Sequence, residues 1–111
     1  MLIGILPNAS SAEILLNNLS EADFDLKTVS VIMQDVKMRN KIAKDVGPLK
    51  GVPPDKISAK LLKAGLTNPQ VKLCTDALAQ SKALVAMNVS ADLVSAAKEM
   101  FEDQSAQILK E

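Results

Sequence analysis

Ala83-Leu84-Val85-Ala86-Met87-Asn88-Val89 is the most strongly apolar run in the chain. It is far too short to span a membrane. With no polar alternation, it reads as a central strand covered on both sides. Leu2-Ile3-Gly4-Ile5-Leu6 reads the same way, a short strand apolar on both faces and ended by Pro7-Asn8. The fold turns on what covers these two strands.

Working outward, Ser10-Ser11-Ala12-Glu13 has capping-box spacing. Ala12, Leu15, Leu16 and Leu19 then form one stripe of an amphipathic helix. Phe24, in the acidic turn Asp23-Phe24-Asp25, is expected to fold under the end of that helix. A second strand is expected over 27–33, where Val29, Val31 and Met33 alternate with Thr28, Ser30 and Ile32. Strand, helix and strand over about thirty residues make a βαβ unit. On the other side of the central run, Ser90 is a candidate cap, with Asp92 placed to complement the helix dipole. Leu93, Ala97, Met100 and Phe101 give the last helix its stripe, and Gln107-Ile108-Leu109 reads as a terminal edge strand.

The middle, about 35–81, reads as helical. Val36, Ile42, Ala43 and Val46 sit near helical spacing, with Gly47-Pro48 as the stop. A second helix carries Ile57, Leu61 and Leu62 and ends at Gly65, well placed for a left-handed cap. Asn68-Pro69 reads as N-cap and first position of a third, with Val71, Cys74, Ala77 and Leu78 inward. The expected architecture is a single α/β (α+β) domain over 1–111, a ferredoxin-like four-stranded sheet with an inserted helical middle. Such a sheet commonly leaves one face open, yet strands one and three are apolar on both. Either the middle helices cover the second face or a second copy does, since a large exposed apolar patch is unusual in a monomer. A homo-oligomer is therefore one expectation.

Composition removes whole classes of chemistry. The chain has 111 residues, 48% of them apolar, with no His, Trp or Tyr, two Phe and one Cys. Histidine is the side chain best suited to proton transfer near neutral pH and the commonest transition-metal ligand. Without it, most hydrolytic and zinc-type mechanisms lose their usual parts, and no cluster of acids has calcium-loop spacing, so no metal site and no cofactor are expected. A single cysteine makes no internal disulfide and fits a reducing compartment. No signal-peptide or membrane-length run is present, so a cytoplasmic location without a membrane partner is expected. The sequons at Asn8, Asn18 and Asn88 carry little weight in that setting.

Thirteen basic residues balance thirteen acids, so no net field draws the chain to nucleic acid, and no aromatic platform offers stacking. The charge is unevenly spread, however. Residues 36–63 hold eight basic residues against two acids, a net +6, while 1–35 carry −4 and 90–111 carry −3. The plain reading is attraction between segments and solvated faces. The functional reading is a cationic surface for an acidic protein or a small anionic ligand.

Gly47-Pro48-Leu49-Lys50-Gly51, then Leu61-Leu62-Lys63-Ala64-Gly65-Leu66, then Asp76-Ala77-Leu78 with Ala83 to Val89, and the ending Ala97 through Ser105-Ala106-Gln107-Ile108 stand in a recognisable order. In that order they resemble the bacterial heat-induced general stress protein domain family and its uncharacterised relatives. Two departures stand out. Only Gly47 to Gly51 occupies the place of a longer Gly/Ala hairpin, and Leu73 or Cys74 stands where relatives often have a tyrosine. The resemblance implies a stress-related role without an assigned reaction, so it transfers no catalytic residue.

Few residues remain as candidates. Cys74 is the one possible reactive thiol, yet it lies on an apolar stripe without a partner base, where cysteine behaves as a small hydrophobe. The pairs Asp23/Asp25 and Glu102/Asp103 read as turn and helix-end surface. Lys50, Gly51 and Lys56 could present amides and cations to an anion, against the plainer reading of an inter-helix turn. The expectation is a non-enzymatic interaction or regulatory domain that self-associates, or alternatively a small anionic-metabolite sensor using the basic middle. An enzyme built on Cys74 is the third reading.

Overall fold

The computed structural model describes residues 1–111. Four strands are present: β1 (Leu2–Leu6), β2 (Val29–Met33), β3 (Ala83–Met87) and β4 (Gln107–Lys110). Five helices accompany them: α1 (Ala9–Glu21), α2 (Val36–Ile42), α3 (Ile57–Lys63), α4 (Asn68–Ala79) and α5 (Val94–Asp103). The strand order is β2-β3-β1-β4, every neighbouring pair antiparallel. β1 and β2 therefore run parallel with β3 between them, and β3 and β4 run parallel with β1 between them. Two such split βαβ units make a ferredoxin-like α+β fold. Antiparallel neighbours such as β2 and β3 need only a hairpin. Here the connection carries α2, α3 and α4 instead.

The side-chain period of two sends alternate residues of each strand to opposite faces. Leu2, Leu6, Val29, Val31, Met33, Ala83, Val85 and Met87 face α1 and α5, meeting Ala12, Leu15, Leu16, Leu19, Ala97 and Phe101. Ile3, Ile5, Ile32, Leu84 and Ala86 face the other way, onto Leu49, Ile57, Leu61, Leu66, Val71, Cys74, Ala77 and Leu78. Fourteen buried residues lie on each side. The second face is thus closed by the chain's own middle helices. Gly4 lets β1 and Phe101 approach closely on the first face, where a Cβ would stand 3.0 Å from Phe101 Cδ2.

Local signals differ in detail from the sequence reading. Asn8, not Ser10, caps α1, accepting from the Ser11 amide at 2.8 Å. Thr67 caps α4, in a capping box with Gln70, so Asn68-Pro69 fall inside the helix. Ser90 opens a turn, and α5 starts only at Val94 with no side-chain cap. Phe24 packs under α1 as expected. Gly65, at φ +100°, ends α3 with bonds from Gly65 N to Leu62 O and from Leu66 N to Leu61 O, a Schellman motif. Leu62 and Leu93 are exposed, not inward.

The largest difference lies after α2. That helix stops at Ile42, and Ala43 is already extended (φ −150°, ψ 153°). Gly47 is not a helix stop. At φ +84° it lies flat on β2, where a Cβ would come within 2.6 Å of Ser30 Oγ and 2.8 Å of strand backbone. Ser30 is the buried polar side chain of the sheet. Its hydroxyl donates to Val46 O at 2.6 Å and accepts from Leu49 N at 2.8 Å. That one side chain ties the α2–α3 connection to β2.

Candidate functional site

The connection pinned by Ser30 borders two clefts beside β2. The larger, about 480 Å³, is floored by Leu16 of α1, Val29 of β2, and Ile42, Ala43 and Val46 of the connection, with Leu26 at its lip. Lys27, Asn40, Lys41 and Lys44 complete the lining, and no acid joins them. Its size falls in the ordinary range for small-molecule sites. Each wall is fixed locally. Asp25 caps the 3-10 turn Leu26–Thr28, accepting from Lys27 N at 2.9 Å. Asp35 caps α2, accepting from Met38 N at 3.0 Å.

Ion pairs in the chain are Arg39–Asp45, Lys72–Asp76 and Lys98–Glu111. Lys27, Lys41 and Lys44 therefore stand around an apolar floor without carboxylate partners. Lysine stems cover apolar surface while their ammonium heads stay in water, so this cleft offers a greasy floor and a cationic mouth.

The smaller cleft, about 310 Å³, is lined by Val31, Ile32 and Met33 of β2, Val36 and Arg39 of α2, and Asp45, Gly51, Val52, Pro53 and Pro54. Asp45 Oδ1 accepts from Gly51 N at 2.9 Å and lies 3.8 Å from Arg39 Nη1.

The residues singled out from sequence are dispersed. Gly51 lines the smaller cleft, but its amide is spent on Asp45. Lys50 and Lys56 are exposed and line neither cleft, and their amides donate to Gly47 O and Pro53 O. The loop thus has no free amide at Lys50, Gly51 or Lys56 to offer an anion. The basic segment is also divided: Lys41 and Lys44 serve the larger cleft, while Lys60 and Lys63 border a third, of about 190 Å³, with Met1. Cys74 is fully buried in the second core, and desolvation pushes its thiol from 9.0 up to about 11. It stays a protonated packing group at neutral pH.

No group of three or more His, Cys, Asp or Glu side chains is placed to hold a metal ion. No helix is long and apolar enough to cross a membrane. The chain matches no family model, no curated protein and no solved structure. Sequence reasoning passed over Lys27 as part of an acidic segment, and passed over Asp45 and Arg39 as members of a charge tally. Their grouping arises from residues 16, 26–29 and 40–46 meeting in space, which no local pattern announces.

Proposed function

We propose that this chain is a non-catalytic binding domain whose ligand is a small amphipathic acid, held in the lysine-rimmed cleft beside β2. One observation carries the reading: Lys27, Lys41 and Lys44 surround an apolar floor and none has an acidic partner. Exposed lysines in salt give little affinity of their own. They select the sign of the head group, and the floor supplies the free energy. At about 0.8 kcal/mol per buried methylene, each added carbon tightens binding about fourfold until the floor is filled. Self-association, the first expectation from sequence, loses its main motive, because both apolar sheet faces are filled from within the chain.

Calorimetry and thermal shift with hexanoate, octanoate, octanol and octylamine test this directly. Octanoate binds more tightly than hexanoate and raises the melting temperature, as any ligand of the folded state does. Octylamine, repelled by the lysines, binds more weakly than either octanoate or octanol. A Lys27→Gln/Lys41→Gln/Lys44→Gln variant loses the preference for acid over alcohol, whereas Lys60→Gln/Lys63→Gln keeps it. Equal binding of octylamine and octanoate, or an unchanged preference in the triple variant, overturns the proposal.

A further inference from the structure

The smaller cleft has a different charge logic from the lysine-rimmed one. Arg39 exposes only 16% of its side chain, and its Nη1 stands 3.8 Å from Asp45 Oδ1, beyond hydrogen-bonding range. That guanidinium, with five donors in a planar fork, makes no hydrogen bond to the protein. Asp45 spends Oδ1 on the Gly51 amide and leaves Oδ2 without a partner. Both charged groups line the same cleft, whose walls are Val36, Val52, Pro53 and Pro54.

A ligand carrying only an anion would satisfy Arg39 but stand beside the carboxylate of Asp45. A ligand carrying only a cation meets the reverse difficulty. The complement of a guanidinium and a carboxylate a few ångströms apart is a zwitterion with its two charges equally close. We infer that this cleft binds a free α-amino acid with a small apolar side chain. Its carboxylate lies on the Arg39 guanidinium, its ammonium on Asp45 Oδ2, and its side chain against Val52 and Pro53. Charge-assisted hydrogen bonds are the stronger kind and give this site its specificity. A volume of about 310 Å³ admits valine or leucine. The site is separate from the lysine-rimmed cleft, which has no acid to receive an ammonium group.

Isothermal titration with L-leucine, isovalerate and isobutylamine decides the matter. Leucine binds, and each single-charge analogue binds at least tenfold more weakly. Asp45→Asn keeps an oxygen for the Gly51 amide, yet weakens leucine binding at least tenfold, and Arg39→Gln does the same. An unchanged far-ultraviolet circular dichroism spectrum and a single urea transition show that the two variants are folded. Three results overturn the inference: no heat from leucine or valine at millimolar concentration, isovalerate binding as tightly as leucine, or leucine affinity unchanged in folded Asp45→Asn and Arg39→Gln proteins.

Discussion

The two faces of the sheet bury equal numbers of residues but are closed by different means. On the first, α1 and α5 are the crossover helices of the two βαβ units, so the topology itself supplies the cover. On the second, α3 and α4 belong to the β2–β3 connection, where a hairpin would have sufficed to join the strands. The first face therefore follows from strand order, whereas the second depends on an insertion docking correctly. The stretch from α2 to Pro54 gives Leu49 to that cover, and its remaining residues run beside β2 and wall both clefts. Closing the sheet's second face and walling the clefts are both work of the β2–β3 connection.

If both faces are equal partners in one core, truncation on either side should destabilise the whole chain. Phe101→Ala, at a fully buried ring on the first face, costs about 3–5 kcal/mol, and Leu61→Ala on the second about 2–5 kcal/mol. Both read out as a shift of one cooperative unfolding transition in urea. A loss below about 1 kcal/mol for Leu61→Ala, or a separate transition for the insertion, would make the second face an appendage.

The tie between insertion and sheet is expected to show the next largest effect. Ser30→Ala leaves Val46 O and Leu49 N without their partner, at about 1–3 kcal/mol for a buried unpaired group. Gly47→Ala forces a side chain into a left-handed conformation against β2 backbone, with strain of about 1–3 kcal/mol before any clash is counted. Both variants should also weaken octanoate binding, because they release Val46 from the cleft wall. Variants that lose stability but bind octanoate normally would separate the tie from the site.

Cys74 gives a smaller, pH-dependent probe of the second face. In the unfolded chain its thiol ionises around 9.0, whereas burial holds the folded thiol protonated up to about 11. Below pH 9 both states carry the proton and the thiol's contribution is fully present. As pH rises toward 11 the unfolded state releases its proton first, and stability falls by on the order of 2 kcal/mol. Urea midpoints from pH 8 to 11 should fall more steeply for the wild type than for Cys74→Ala. Matching slopes would mean the thiol is not held away from water.

Much of the fold was legible because it rests on short-range pattern. β1 and β3 declared themselves by unbroken apolar runs, and α1 and α4 by stripes that the structure buries. The need for a second cover followed from Ile3, Ile5, Leu84 and Ala86. The end of α2 was not legible, since Ile42, Ala43 and Val46 mimic helical spacing while facing a cleft from a chain already extended at Ala43. Caps were ambiguous where Asn8, Ser10 and Ser11 all compete for the same amides. The clefts were illegible for a different reason. Ser30 acts on residues 16 and 19 positions away, and Lys27 joins Lys41 and Lys44 only where the connection folds back along β2.

Mapping amide shifts of the nitrogen-15-labelled protein during titration with octanoate reports most directly on whether the insertion builds a binding surface beside β2. Perturbations concentrated at Leu26, Lys27, Val29 and 41–46, and abolished by replacing the three lysines with glutamine, are the expected result. Shifts centred on Lys60, Lys63 and Gly65, or no saturable shifts, would contradict the account.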